Sequence, residues 1–264
     1  MVFEEIDEFA LNNMGQVAFR ATDSNGEGIW SDRFGVLDVE AHVGAGATWN
    51  GGEAAYYAFL GPALSDTSIA LIAGVETVTG EYFGYWRGAD ATLDLVYASN
   101  TPAPGLDGHA LGGSGVRTPL LLSDGGHLAF NGTERTTADD EPHRNGVWST
   151  GSGGLDYVVI EGVAASGTNN GQEHATFQFN RSIRPAMNNL GEVTFLSQLT
   201  GPGIDSSNDS GIWSQRDDNL ELVARRRHCA RDRDRRYVQR FFRFSGFQRC
   251  STSSFLCRPD WNRC

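Results

Sequence analysis

Along this chain, apolar residues alternate with polar ones in short runs, and each run stops at turn-forming residues. After Asn12-Asn13-Met14-Gly15, the residues Val17, Phe19 and Ala21 fall on one face of an extended strand, and Ala18 and Arg20 on the other. Gly28-Ile29-Trp30-Ser31 then reads as an antiparallel return strand across a short polar loop. A period of two, with no long stretch of helical period, predicts an all-β fold. The Asn-x-x-Gly that opens the hairpin is turn chemistry. The Asn side chain closes an Asx-turn, and Gly takes a positive φ without a Cβ clash.

The same unit returns three more times. Its turn and first strand recur as Ala63-Leu64-Ser65-Asp66-Thr67-Ser68-Ile69-Ala70-Leu71, Leu121-Leu122-Ser123-Asp124-Gly125-Gly126-His127-Leu128-Ala129-Phe130 and Ala186-Met187-Asn188-Asn189-Leu190-Gly191-Glu192-Val193-Thr194-Phe195. The return strands are Gly84-Tyr85-Trp86-Arg87, Gly146-Val147-Trp148-Ser149 and Gly211-Ile212-Trp213-Ser214, the second copy being degraded in both elements. Trp30, Trp86, Trp148 and Trp213 therefore recur roughly every 55–65 residues, the signature of a repeat array. Alternating segments from Leu93, Leu155 and Leu220 follow the later tryptophans and extend each sheet. Ala54–Phe59 and Ala175–Phe179 precede the next turn and supply a fourth strand.

Three or four antiparallel strands per copy predict a propeller-like array of about four blades. The small residues Ala18, Ala70, Ala129 and Thr194 suit sheets buried on both faces. A β-solenoid or a set of small sandwiches is the competing architecture. An array that does not close leaves open edges, so aggregation and marginal stability are expected.

Composition divides the chain into a 1–224 repeat domain and a 225–264 tail. The formal net charge is −12, yet residues 225–264 carry 12 Arg and 3 acids, a net of 12 − 3 = +9, which leaves −12 − 9 = −21 for the remainder. Lysine is absent, and all four cysteines (Cys229, Cys250, Cys257, Cys264) lie in the tail. An acidic, cysteine-free body argues against nucleic acid as a partner, and no apolar run approaches the roughly 20 residues of a membrane span.

The break after Ala224-Arg225 reads as a change of reading frame. Back-translating the tail and starting each codon one base later permits Gly-Asp-Thr-Ala-Pro-Gly-Thr near its start and Val-Ala-Phe-x-Ala-Asp-Leu-Thr-Gly-Thr-Gly near its end. The first string matches Thr101-Pro102-Ala103-Pro104-Gly105, and the second matches Val193–Gly203 at the period of the repeat. The tail is thus expected to be an unstructured, frameshifted fifth copy. Its basic, cysteine-bearing character would be an out-of-frame by-product. The glycine expected before the shifted Val-Ala-Phe cannot be produced there.

The repeated Asn-x-x-Gly-x-x-Ala-Phe, the Gly-Ile-Trp-Ser strand and the Ala-Pro-Gly linker resemble the exported bacterial tandem-repeat proteins with the NxxGxxAF repeat, over residues 1–224. The resemblance implies an extracellular or cell-surface repeat protein, often with a C-terminal anchor, and without assigned catalysis. The candidate partners it leaves are an extracellular polysaccharide or a surface protein. This chain opens directly on module sequence, without a signal peptide, and shows no anchor, which suggests a fragment.

Candidate chemistry is sparse. Asp23-Ser24-Asn25-Gly26-Glu27 places oxygen donors Asp23, Asn25 and Glu27 at alternate positions, part of the spacing of a calcium loop; Phe34 stands where its bidentate Glu belongs. Asp139-Asp140-Glu141 and Asp205–Asp209 are acidic loops at equivalent places. His127 and His143 flank one hairpin, and the wide cysteine spacings match no usual zinc site. A tryptophan at one place in every copy reads as a core anchor before it reads as a sugar platform. The sequence therefore predicts a non-enzymatic structural or binding module without a cofactor. The alternative is a propeller-type glycan-active hydrolase or lyase, for which copy three, with Asp139, Asp140, Glu141 and His143, is the candidate location.

Overall fold

A computed structural model describes residues 2–49, 52–112, 120–136, 143–151, 153–168, 171–177, 185–217 and 219–226. The expected tail from residue 227 onward and the acidic loop 139–141 lie outside them. The described residues form antiparallel β-sheets with no helix, one sheet per copy of the repeat. Sheet one holds β1 (Glu5–Leu11), β2 (Val17–Asp23), β3 (Gly26–Ser31) and β4 (Asp38–His42). Sheet two holds β5 (Ala54–Leu64), β6 (Ile69–Thr77), β7 (Gly80–Gly88) and β8 (Asp94–Ala98). Sheet three holds β9 (His109–Gly112), β10 (Leu121–Leu122), β11 (Leu128–Thr136), β12 (Arg144–Ser149) and β13 (Asp156–Ile160). Sheet four holds β14 (Glu173–Phe177), β15 (Ala186–Met187), β16 (Val193–Thr200), β17 (Ser210–Arg216) and β18 (Asn219–Arg225). Strands pair in chain order, as short turns dictate. In the last two sheets the first strand comes as two pieces, β9 with β10 and β14 with β15, on one partner. The degraded second copy nonetheless builds long strands, 11 residues in β5 and 9 in each of β6 and β7.

Period-two alternation sends the two faces of each sheet to different neighbours. Trp30, Trp86, Trp148 and Trp213 are at most 1% exposed, all on the front face and on the third strand of their sheets. Each lies across from an apolar residue of the second strand: Phe19, Leu71, Phe130 or Phe195. The glycine two positions earlier makes this possible. A Cβ on Gly28, Gly84, Gly146 or Gly211 would sit 2.7–2.8 Å from the indole of its own tryptophan, which folds back over the strand. It would also approach a carbonyl of the fourth strand to 2.8–3.0 Å. A bulge at the tryptophan shifts the register between third and fourth strands in every sheet, which re-aims the ring.

The back face carries matched smaller residues. Ala18, Ala70, Ala129 and Thr194 pair in register with the third strand, as Ser31, Arg87, Ser149 and Ser214 record. Ile29, Tyr85, Val147 and Ile212 pair in turn with Ala41, Tyr97, Val159 and Ala224 of the fourth strands. The back of one sheet packs on the front of the next. Ala18, Ile29 and Ala41 meet Leu71 and Trp86; Ala70, Tyr85 and Tyr97 meet Phe130 and Trp148; Ala129, Val147 and Val159 meet Phe195 and Trp213. The core is thus a series of inter-sheet junctions, and burying both faces explains the small residues at the alternate positions.

A linker clasp registers each sheet on the previous one. After the fourth strand, Ala47, Ala103 and Ala165 donate backbone N–H groups to the carbonyls of Ala54, His109 and Gln172, at 2.8–2.9 Å. Gly44 and Gly162 turn into this clasp at φ 82°, and Asn100 takes the same role at φ 64°. Trp86 Nε1 donates to Thr48 O and Trp213 Nε1 to Ser166 O, each at 3.1 Å, so the linker caps the tryptophan of the sheet that follows. Pro104 stands at the matching place before sheet three, and Trp148 Nε1 finds no acceptor among the described residues.

Candidate functional site

The turns between first and second strands form as their sequence dictates. Asn12 Oδ1 accepts the Gln16 N–H at 2.8 Å, Asn188 Oδ1 accepts the Glu192 N–H at 3.1 Å, and Ser65 Oγ accepts the Ser68 N–H at 3.1 Å. Gly15, Gly126 and Gly191 take φ of 75–82°. The residue after the capping side chain then reaches into the next copy. Asn13 N–H donates to Asp66 Oδ1 at 2.9 Å, and Asp66 N–H donates to Asp124 Oδ1 at 2.9 Å. Asn13 Nδ2 also reaches Asp124 Oδ2 at 3.3 Å, so the tips of copies one, two and three meet. The fourth tip adjoins them, because the Asn189 carbonyl fills the space a side chain on Gly125 would need. Here each aspartate accepts protein N–H groups, which makes this cluster a clasp between copies.

A second polar cluster belongs to sheet three alone. Glu134 is 1% exposed, and its carboxylate accepts from His109 Nδ1 on one oxygen and Arg144 Nε on the other. Register places Glu134 opposite Leu111, where sheets two and four have Val75 opposite Tyr56 and Leu199 opposite His174, and where sheet one has Asp23. A carboxylate thus replaces the aliphatic residue of sheets two and four, and burial obliges it to be paired. The network continues nearby: Asn145 donates its N–H to Glu161 at 2.9 Å, and Thr133 donates to Asn145 Oδ1 at 3.0 Å. With Nδ1 held by a carboxylate, the neutral His109 ring carries its lone pair on Nε2, the arrangement of a general base or a metal ligand.

The residues named from the sequence for calcium are placed apart. Asp23 and Gly26 close a two-residue hairpin, and Asp23 Oδ1 accepts the Asn25 N–H at 2.8 Å and faces His42 Nε2 at 3.3 Å. The Asn25 N–H, with His42, holds the half-buried Asp23 carboxyl below the ordinary carboxylate range. Glu27 points to the other face of the sheet, where its Oε1 accepts the Phe59 N–H at 3.1 Å and Arg20 at 3.4 Å. Strand alternation therefore separates the two carboxylates, and among the described residues no three acidic, His or Cys side chains assemble a cation site. In the loop 205–209, Asp205 Oδ1 caps the Ser207 N–H at 2.8 Å as an Asx-turn. His127 and His143 lie at opposite ends of the β11–β12 hairpin and do not meet.

Two residues of the core went unread in the sequence. One is Glu134; the other is His174, fully buried against Trp213 at 4.7 Å between ring centroids, with Nδ1 3.0 Å from Ser197 Oγ. His174 occupies the place of Tyr56, which packs on Trp86 at 5.4 Å. Burial pushes its pKa from 6.5 down to about 4, so it packs as a neutral ring.

The family described as "Family of unknown function (DUF7453)" matches residues 1–246, and the chain belongs to it. No curated protein matches. Among solved structures, a structural-genomics target from Lactobacillus plantarum is similar at 10% identity and TM-score 0.28, over 86% of this chain and 72% of that one. A xylan beta-1,4-xylosidase from Bacillus halodurans C-125 is similar at 10% identity and TM-score 0.23, over 84% of this chain and 55% of that one.

Proposed function

We propose that this member of the DUF7453 family is a non-catalytic, exported or cell-surface repeat protein, a propeller-like stack of sheets serving as a structural or binding module. The observation that carries this reading is the burial of the four tryptophans at one place in their sheets, three of them inside inter-sheet junctions. What recurs is packing: the Gly-x-Trp strand in every copy, the turn clasp between copies and, in the second and fourth, the linker cap. The propeller is supported by the hydrogen bond from Asn13 to Asp124, which joins copy one to copy three. In a linear solenoid each repeat touches only its neighbours, whereas blades around an axis bring all their inner turns together. The basic segment 225–264 fits the same reading as a frameshifted fifth copy, and sequencing the gene with its flanks decides that part. A neighbouring frame that fails to continue the repeat removes it.

The His109–Glu134 pair favours one second reading, glycan-directed hydrolysis or lysis, because a carboxylate only 1% exposed there holds a histidine on one oxygen and an arginine on the other. The two are separated by incubating the protein with xylan, arabinan, pectin and peptidoglycan while following both co-sedimentation and release of new sugar ends. The module reading expects no release. Release that disappears in His109→Ala and Glu134→Gln establishes the enzyme instead.

A further inference from the structure

The junction made three times inside the chain has its two halves left open at opposite ends. In sheet three, the back positions Ala129, Val147 and Val159 are at most 4% exposed beneath the front of sheet four. Their counterparts in sheet four, Thr194, Ile212 and Ala224, are half-buried, half-buried and exposed. At the other end, the front of sheet one presents Phe9, Leu11 and Val39 at 80%, 65% and 46% exposure. Leu11 shows what is missing: its counterpart Leu64, at the same register opposite Ile69, is 8% exposed under sheet one.

The two faces therefore match the halves of the first and third junctions, small and β-branched on the back, aromatic and aliphatic on the front; the second junction differs in carrying Tyr85 and Tyr97 on its back. They lie at opposite ends of the series of sheets. Among the described residues Phe3 closes Trp30 on the front of sheet one, at 5.0 Å between ring centroids, while Phe9, Leu11 and Val39 beside it, and Ala224 on the back of sheet four, stay exposed. We infer that the back of sheet four docks onto the front of sheet one of a second copy, so that the chain associates head to tail. A second copy is the occupant because each carries both halves, and the contact continues an interface already repeated within it. Such a contact is heterologous, so it closes into a ring or extends, and it leaves one free face of each kind in every open assembly.

Sedimentation velocity of the full chain over rising concentration tests this. The weight-average mass is expected to rise beyond the monomer. Phe9→Asp and Ala224→Arg each replace an exposed residue of one face, and each variant alone is expected to stay monomeric with unchanged circular dichroism. Mixed in equal amounts, they are expected to form a dimer and stop, since each supplies the half the other retains. A wild-type chain that stays monomeric throughout overturns the inference, whatever the variants do. So does association that persists in either variant alone, which would mean like faces pairing or another surface.

Discussion

At the residue scale, the glycine two positions before each tryptophan is the tightest constraint on the module. A methyl group on Gly146 would meet the Trp148 ring at 2.7 Å and the Val159 carbonyl at 2.9 Å. Gly146→Ala is expected to cost about 1–3 kcal/mol, the range of overpacking, in urea unfolding followed by tryptophan fluorescence. The sequence placed the tryptophans and their strands correctly but attached no role to this glycine, because an indole folding over its own strand leaves no trace in a two-residue period. His174 was hidden for a related reason: a polar residue at the start of a strand carries no sign that it replaces Tyr56 over a tryptophan. Its titration gives a second expectation. The folded pKa, about 4, lies below the ordinary 6.5, so the unfolded chain takes up the proton first. The contribution is complete above pH 6.5 and is lost as pH falls toward 4, amounting to about 2 kcal/mol between pH 7 and pH 5. Denaturant midpoints across that window should fall with pH in the wild type and flatten in His174→Tyr.

At the element scale, the alternation pattern made the hairpins legible, because one face of each had to be apolar and the turns carried Asn, Ser or Gly where the backbone needs them. It did not reveal that the first strand of the later copies comes in two pieces. It also missed the candidate site of sheet three, built from His109, Glu134 and Arg144, residues of three different strands. Charged residues around an acidic loop read as a solvated hairpin end until pairing shows one of them buried. Desolvating Glu134 offsets much of what its pairings contribute, and sister sheets manage with Val75 and Leu199 at that register. Glu134→Leu is therefore expected to change unfolding free energy by less than about 1 kcal/mol, since the half-exposed Arg144 can turn to solvent. A loss of several kcal/mol would show instead that the ion triad holds the hairpin together.

At the scale of the whole molecule, the repeat was legible because one solution to burying a two-faced sheet is used four times. The same logic separates the interior from the ends. Inside, every tryptophan-bearing front meets a buried back, small or β-branched in the first and third junctions and bearing Tyr85 and Tyr97 in the second; at the termini of the array, Phe9 and Ala224 are exposed. The meeting of the turn tips was not legible, since Asn13, Asp66 and Asp124 look like ordinary turn residues in sequence and become partners only when the sheets fan around common inner turns.

The linker cap bears on how such a protein can be cut and rejoined. Trp86 is closed by Thr48, and Trp213 by Ser166, each upstream of the first strand of its own sheet. A transplantable cassette therefore begins at the left-handed residue, Gly44, Asn100 or Gly162, and ends just before the next one. Splicing sheet two or sheet four at its strand boundary instead would hand the recipient an indole whose N–H acceptor had been left behind in the donor.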